Sequence, residues 1–191
     1  PRSTPLYSSA ASDVYKRQAQ GLRPTLHQQP LHELEVPRKL GLVFIPSGSF
    51  GLIIEQGLVE ESLRRVWETL MPGGTFLVEV ERLVHGAPEM SGTWGGRWVE
   101  RPDGTKLVMS WLAQFSGAPN VSRTLQRYEL IQEGRLLEVE YEDFQVRSYE
   151  ANELRRLLEQ AGFQQIDVLA PYEARAADDS DEAFVFACRK S

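Results

Sequence analysis

Residues 40–82 read LGLVFIPSGSFGLIIEQGLVEESLRRVWETLMPGGTFLVEVER, and the central elements of the fold can be derived from them. Its first part is the short apolar run Leu42–Ile45, which Pro46–Gly48 interrupts. A continuous apolar run between turn residues predicts a strand covered on both faces. From 58 to 71, apolar residues recur at helical spacing with charged residues opposite them. This pattern predicts an amphipathic helix.

The helix is followed by a turn and a second strand. Pro72–Gly74 predicts the end of the helix, because proline cannot continue it and glycine accepts positive φ. Residues 75–80 then form another apolar strand. Strand, helix and strand with short connections predict a right-handed parallel crossover. In such sheets ligands lie beyond the carboxyl ends of the strands, so residues 46–50 are the first candidate for a site.

Composition limits the classes of function. The chain has 191 residues, 41% of them apolar and 25% charged, which is ordinary for one globular domain. A net charge of −6 disfavours a nucleic-acid backbone as the partner. No apolar run approaches the roughly 20 residues that cross a bilayer, so no membrane partner is expected. The single cysteine, Cys188, cannot form an internal disulfide, which favours a cytoplasmic location.

Residues 1–18, PRSTPLYSSAASDVYKRQ, differ from the rest of the chain. They contain few large apolar residues and show no period. Two interpretations stay open: a non-native segment resembling adapter read-through, or a natural disordered tail. In both cases residues 19–191 are expected to hold the folded domain.

The second half changes character. Residues 92–149 contain alternating runs separated by turn signals, among them Pro102-Asp103-Gly104 and Glu133-Gly134. They predict an inserted antiparallel β-meander of three or four strands. A helix at 154–161 and strands at 163–170 and 183–188 follow, and a terminal hairpin would place one antiparallel strand in the parallel sheet.

Three stretches in this order resemble class I S-adenosylmethionine-dependent methyltransferases. They are LGLVFIPSGSF at 40–50, LRRVWETLMPGGTFLVEV at 63–80 and RSYEANELRRLLEQAGFQQIDV at 147–168. The resemblance implies an α/β fold: a partial Rossmann-like methyltransferase sheet with a terminal antiparallel hairpin strand and an inserted antiparallel β-meander. It also implies S-adenosylmethionine as cofactor.

One feature of the family is missing from the sequence. The Gly-rich loop that approaches the cofactor has no counterpart upstream of Leu40, and about 20 plausible residues there are too few for a βαβ unit of ~30 residues. The chain is therefore expected to be a C-terminal fragment with half of the cofactor site. Whether this chain is itself an enzyme stays open. An exposed apolar edge at Leu42–Ile45 would also make it prone to aggregation.

The resemblance assigns cofactor contacts to two loops. Gln29 would hydrogen-bond the adenine edge, or would be a solvated loop residue. Backbone and side chains after the central strand would line the methionine side, although the two serines there could merely satisfy the turn. The predicted cofactor-binding residues are Gln29, Pro30, Leu31, Phe44, Ile45, Pro46, Ser47, Ser49 and Phe50.

The meander would cover the mouth of the site. Its aromatic and arginine side chains suit a small anionic or planar group, but they could equally be sheet-packing residues. Two interpretations of Glu79 and Glu81 stay open. They are polar groups near a substrate amine, or they simply lie at the exposed end of a strand. The three histidines have no metal-site spacing, so no metal is expected, and no catalytic residue is identified. The candidate substrate-binding residues are Trp94, Arg97, Trp98, Arg127, Tyr128 and Arg147.

Three functional hypotheses follow. The first is S-adenosylmethionine-dependent methyl transfer to a small-molecule acceptor. The alternative is a non-catalytic ligand-binding or dimerisation module on the same fold, motivated by the missing loop. The third, an NAD-type α/β enzyme, conflicts with the terminal hairpin and lacks the fingerprint of that class. The expected partners are a small-molecule substrate and a second copy in a homodimer.

Overall fold

The computed structural model describes residues 21, 25–83, 93–114 and 120–191. The chain divides into two compact units, Pro1–Pro30 and Leu31–Ser191. Residues 25–30 of the first unit form neither helix nor strand. The second unit holds two four-stranded sheets and two α-helices among its described residues.

The second unit follows the predicted order of elements. Two short 3-10 turns, Leu31–Glu33 and Ser49–Leu52, lie before and after the first strand. The elements are β1 (Leu40–Ile45), α1 (Gln56–Thr69), β2 (Leu70–Glu81), β3 (Trp94–Glu100), β4 (Lys106–Gln114), β5 (Val121–Gln132), β6 (Arg135–Arg147), α2 (Ala151–Gln160), β7 (Gln164–Leu169) and β8 (Ala183–Arg189).

The first sheet has the strand order β1-β2-β8-β7. β1 and β2 are parallel, with Val43 opposite Phe76. β8 is antiparallel to both of its neighbours, with Cys188 opposite Phe76. The parallel crossover and the terminal antiparallel hairpin strand are both confirmed.

The core lies between this sheet and the two helices. Alternate residues of a strand point to one side, so β2 buries Phe76, Val78 and Val80 on the same face. Each fully buried side chain of this size contributes roughly 1.5–3 kcal/mol through loss of water contact. The helices supply the opposing side chains Val59, Leu63, Val66, Leu154 and Leu158.

α1 ends two residues before Met71, where the spacing predicted its end. Leu70 is already extended, with ψ of 145°. The residue before a proline is pushed out of the helical region, so Met71 cannot extend the helix towards Pro72. The Lys190 ammonium caps the end by donating hydrogen bonds to the carbonyls of Trp67 (2.8 Å) and Leu70 (2.9 Å).

The prediction that β1 is covered on both faces is wrong for the described part of the chain. Val43 and Ile45 pack against the core, but Leu42 is 50% exposed and Phe44 is 63% exposed. β1 is an edge strand of its sheet. The core forms on the other face, so the side chains that alternate away from it stay in water.

The second sheet is the predicted antiparallel meander, with four strands in the order β3-β4-β5-β6. The pairing register divides its side chains between two faces. The tryptophan face carries Trp94, Gly96, Trp98, Val108, Ser110, Leu112, Leu125, Arg127, Glu129, Val139, Tyr141 and Asp143. The Val146 face carries Arg97, Val99, Met109, Gln126, Tyr128, Glu142 and Val146.

Candidate functional site

A cleft of about 620 Å³ opens where β1 and β2 end. Because these strands are parallel, their carboxyl ends lie at the same edge of the sheet, beside the start of antiparallel β8. This is the position that the crossover predicts for a ligand. The cleft is lined by Ser47, Gly48, Glu79, Glu81, Arg82, Tyr172, Glu182 and Ala183.

The loop after β1 is held in a sharp reversal. Ser47 and Gly48 both have positive φ, 57° and 65°. The Ser47 amide donates a 3.0 Å hydrogen bond to the Glu79 carboxylate, which ties the loop to β2. Phe50 is only 1% exposed, and its ring centroid lies 6.0 Å from that of Tyr149. The buried Phe50 side chain and the hydrogen bond between Ser47 and Glu79 therefore fix the position of this wall of the cleft.

The cleft is acidic. Glu79, Glu81 and Glu182 line it, and Arg82 is the cation among the described lining residues. Arg82 also binds Asp179, with a guanidinium nitrogen 3.0 Å from the carboxylate and a second hydrogen bond to the Asp179 carbonyl. Its charge is thus offset by a carboxylate outside the cleft lining. The remaining negative potential favours a cationic ligand group.

The β7–β8 loop brings an exposed aromatic residue to the mouth of the cleft. Tyr172 has φ of 61° and is 89% exposed. Arg175 braces the loop through ion pairs with Glu173 (2.7 Å) and Asp181 (2.6 Å). The Arg175 guanidinium lowers the pKa of Asp181 through this hydrogen bond, so the carboxylate stays charged. The bracing holds Tyr172 and Glu182 at opposite ends of one ordered loop.

The six predicted cofactor contacts at the end of β1 and in the loop after it separate into three groups. Ser47 lines the cleft. Ile45 and Phe50 belong to the hydrophobic core or pack against it, so they support the loop from below. The remaining three, Phe44, Pro46 and Ser49, are exposed to solvent and are not among the residues that line the cleft.

The other predicted cofactor loop spans the boundary between the two units. Gln29 is half-buried and Pro30 exposed, both in the first unit. Leu31 begins the second unit and packs against the hydrophobic core. Contact of these residues with adenine stays a prediction.

The six candidate substrate residues of the meander do not form one cluster. Trp94, Trp98 and Arg127 share the tryptophan face, whereas Arg97 and Tyr128 lie on the Val146 face. The Val146 face adjoins the 3-10 turn Ser49–Leu52 after β1, because a Cβ added to Gly51 would lie 3.0 Å from a methyl group of Val146. The sheet therefore turns only part of the predicted set towards the loop.

Tyr128 belongs to a small polar cluster on the Val146 face. Its hydroxyl donates a hydrogen bond to the side-chain oxygen of Gln126 and lies 3.5 Å from the Glu142 carboxylate. Burial and the neighbouring carboxylate raise the pKa of Tyr128, so it stays a neutral donor. Glu142 is four residues from Val146 along β6, about 13 Å at strand spacing. The cluster therefore lies well along the sheet from the loop contact.

Arg147, the sixth candidate, is buried in an ion pair. It is 6% exposed, donates a 2.7 Å hydrogen bond to Glu153 and stacks over Tyr149 at 5.0 Å. This geometry joins the end of β6 to α2. It leaves little of the guanidinium accessible to a substrate.

Sequence reasoning missed Arg82, Tyr172 and Glu182 as cleft residues. Glu79 and Glu81 were found because they are two residues apart at a strand end. Glu182 lies about 100 residues further along the chain and reaches the cleft only through the pairing of β8 with β2. The one available signal is its place just before the last apolar strand.

The sheet order, the antiparallel last strand and the inserted meander define the fold of class I S-adenosylmethionine-dependent methyltransferases. The chain is similar to an S-adenosylmethionine-dependent methyltransferase from Clostridium acetobutylicum, with 17% identity, a TM-score of 0.77, and coverage of 97% of this chain and 73% of that one.

Two further solved structures share the fold. The sugar N-methyltransferase KedS8 from a Streptoalloteichus species has 17% identity, a TM-score of 0.71, and coverage of 96% and 69% of the two chains. CalS10, an S-adenosylmethionine-bound amino pentose methyltransferase from Micromonospora echinaspora, has 14% identity, a TM-score of 0.67, and coverage of 96% and 71%.

Sequence comparison adds no further relative. No family model matches the chain, and no curated protein matches it significantly. Within the described residues no helix has the length and apolarity needed to cross a membrane. In the same part of the chain, no group of three or more metal-ligating side chains converges.

Proposed function

We propose that this chain forms the acceptor side and the methionine-facing wall of an S-adenosylmethionine-dependent methyltransferase site, and that its acceptor is a small molecule bearing an amine. The observation that carries the proposal is the acidic cleft at the carboxyl ends of β1 and β2 in a chain of this fold. The solved neighbours described as sugar and amino pentose methyltransferases support an acceptor of this kind.

The described residues fit the cationic end of the cofactor. S-adenosylmethionine carries a sulfonium and an ammonium group, and three glutamates line the cleft around a cation already bound to Asp179. Gly48 leaves its part of the cleft wall without a side chain. A Cβ added at this position would lie 3.6 Å from the Glu81 side chain, which is an ordinary van der Waals contact. When it is bound, S-adenosylmethionine supplies the methyl group as an electrophile.

The chain's own residues then bind and orient the acceptor. Glu81 and Glu182 hold its ammonium group by charge, and a carboxylate oxygen of Glu81 takes the proton that the amine must lose before it attacks. Tyr172 lines the mouth of the cleft from the β7–β8 loop, where its exposed ring is available to contact the acceptor. Positioning and removal of water carry most of the rate enhancement in a direct displacement.

The proposal is tested by the charge preference of the cleft. Calorimetry on the full 191-residue chain compares S-adenosylmethionine with S-adenosylhomocysteine, which lacks the sulfonium charge. One carboxylate about 6 Å from a unit charge in water contributes about 0.7 kcal/mol, or about a threefold preference. We expect the charged cofactor to bind at least that much more tightly, and the preference to shrink in high salt.

Two variants test whether the preference for the charged cofactor comes from the cleft. Glu81→Gln is expected to reduce the preference, whereas Glu138→Gln, on the exposed part of β6, is expected to leave it unchanged. Equal affinity for the two ligands, or no binding of either, would contradict the proposal and favour the non-catalytic alternative.

The acceptor class needs a separate experiment. An amino sugar and its hydroxyl counterpart are each offered with S-adenosylmethionine labelled in the methyl group. We expect label to appear on the amine and not on the hydroxyl analogue. Equal transfer to both would refute the amine preference while leaving methyl transfer itself intact.

A further inference from the structure

Tyr172 is held in a backbone conformation that tyrosine normally avoids. Its φ is 61°, in the left-handed region, where the Cβ of a bulky residue crowds its own backbone. The turn at 170–173 imposes this conformation, because the Glu173 amide donates a 3.4 Å hydrogen bond to the Ala170 carbonyl. Pro171 takes the second position and Tyr172 the third. These are the features of a type II turn, whose third position is normally glycine or asparagine.

Both ends of this turn are fixed by contacts with the rest of the loop and with the first sheet. Ala170 is 2% exposed, and its amide donates a 3.1 Å hydrogen bond to the Arg175 carbonyl. Ala176 pairs with Leu169 of β7, and the Arg175 guanidinium binds Asp181 at 2.6 Å further along the loop. These contacts keep the turn in a strained conformation. Strain that the surroundings maintain in this way is typical of functional sites.

Two strained residues meet at the cleft. Four residues other than glycine have positive φ in the described part of the chain, and two of them, Ser47 and Tyr172, line the cleft. The other two lie at irregularities of the sheets: Glu133 in the hairpin between β5 and β6, and Gln165 at the register shift of β7. Tyr172 differs from all three because it carries a large aromatic side chain, which is 89% exposed. Glycine would form this turn without strain, which indicates that the ring serves a contact outside the turn.

The surroundings of the ring select the kind of ligand. Tyr172 shares the cleft lining with the carboxylates of Glu79, Glu81 and Glu182. The face of an aromatic ring attracts a cation that lies within about 6 Å of the ring centre, and this attraction adds to that of nearby carboxylates. An anion would be repelled by the three glutamates, and a neutral group would gain nothing from their charge. The ring and the carboxylates together therefore favour a cationic group.

We propose that Tyr172 determines the specificity of the cleft for a cation. The face of its ring binds the ammonium group of the acceptor, and the strained turn holds the ring at the mouth of the cleft for this contact. The identity of the acceptor rests on the proposed function, whereas the preference for a cation rests on the ring and the carboxylates. The ring is exposed in the free protein, so the contact is expected to contribute about two- to fivefold in affinity, the range of an exposed cation–π pair.

The test compares choline, a quaternary ammonium ion, with neohexyl alcohol, its uncharged carbon isostere. Dissociation constants of both probes are measured by NMR titration of the full 191-residue chain without cofactor, so the outcome does not depend on methyl transfer. We expect choline to bind more tightly than the alcohol. Tyr172→Phe keeps the ring and is expected to keep this preference. Tyr172→Leu keeps an apolar side chain and the positive φ but removes the ring, and is expected to reduce the preference about two- to fivefold.

A second measurement separates ligand binding from folding. Tyr172→Gly removes the ring and relieves the positive φ, and this relief exceeds the entropy that glycine adds to the unfolded chain. The variant is expected to raise the thermal unfolding midpoint by about 1–4 °C and to reduce the choline preference as Tyr172→Leu does. Glu133→Gly is the matched control, because Glu133 has φ of 50° and is not one of the described residues that line the cleft. It is expected to raise the midpoint and to leave choline binding unchanged.

The proposal is overturned if the wild-type chain does not prefer choline, or if Tyr172→Leu leaves the preference intact. In the second case, a loss of the preference in Glu81→Gln would show that the acidic cleft acts without the aromatic contact, and the proposed function would stand. A preference that depends on Tyr172 in a chain that transfers no methyl group would support this inference and count against the proposed function. A lower unfolding midpoint in Tyr172→Gly would show that the ring serves folding, which also overturns the inference.

Discussion

The ion pair between Arg147 and Glu153 links the last strand of the meander to α2. The Arg147 side chain is 8% exposed and that of Glu153 26%, with 2.7 Å between nitrogen and oxygen. We predict that Glu153→Ala lowers the free energy of unfolding strongly, because it leaves a guanidinium buried without a counter-charge. Arg147→Met is predicted to cost less, since the remaining Glu153 carboxylate can reach water.

The magnitude follows from the burial of the two groups. Breaking a buried ion pair from one side typically costs 3–5 kcal/mol. Glu153 is one-quarter exposed, and the Tyr149 ring retains a cation–π contact at 5.0 Å. We therefore expect a loss of about 2–3 kcal/mol for Glu153→Ala. For a domain of this size this is a fall of about 4–12 °C in the unfolding midpoint.

Urea unfolding followed by circular dichroism measures the effect, with the double variant completing a thermodynamic cycle. Glu61→Ala is the control, because Glu61 pairs with Arg64 and Arg65 on an exposed helix face. It is expected to change stability less than Glu153→Ala does. If Arg147→Met costs as much as Glu153→Ala, packing and not an uncompensated charge decides the stability, and the reasoning is refuted.

Three further predictions concern the core. Burial raises the pKa of the Cys188 thiol to about 12, so a thiol reagent at pH 8 is expected to modify it only after unfolding; rapid reaction of the native chain would contradict this. Burial also raises the pKa of Tyr149 to about 12. Because the raised pKa values of Tyr149 and Cys188 favour the protonated forms in the folded state, the free energy of unfolding is expected to fall from about pH 9 to 12, with a later onset in Cys188→Ala. A thermal midpoint that stays constant over that pH range would count against this prediction. Gly162 has φ of 102°, and a Cβ there would lie 3.0 Å from the Trp67 ring, so Gly162→Ala is expected to lower the free energy of unfolding by at least about 1 kcal/mol. Gly57→Ala, which has open space around it inside α1, is expected to raise that free energy by about 0.5–1 kcal/mol. Equal effects of the two substitutions in chemical unfolding would show that the φ argument fails.

Local patterns predicted the types and order of the elements well, and the loop that they marked as a candidate site lines the acidic cleft. The apolar run at Leu42–Ile45 became β1, and the helical spacing before Pro72 became α1, because side-chain period and turn residues act over a few neighbours. The loop at Ser47 was expected to line a site because carboxyl ends of parallel strands meet at one edge. The end of α1 was the main local error, since the residue before a proline avoids the helical region.

Such local patterns do not predict which distant strands pair with one another. Periodicity and turn residues were enough to predict the types and order of the elements, the parallel crossover and the terminal hairpin. The tertiary structure brings Tyr172 and Glu182 to the cleft, because the β2–β8 pairing joins residues about 100 positions apart. It also decided that the face carrying Val146, and not the face carrying Trp98, adjoins the loop at Gly51. Periodicity divides an element into two faces, but which face meets water depends on what packs against it.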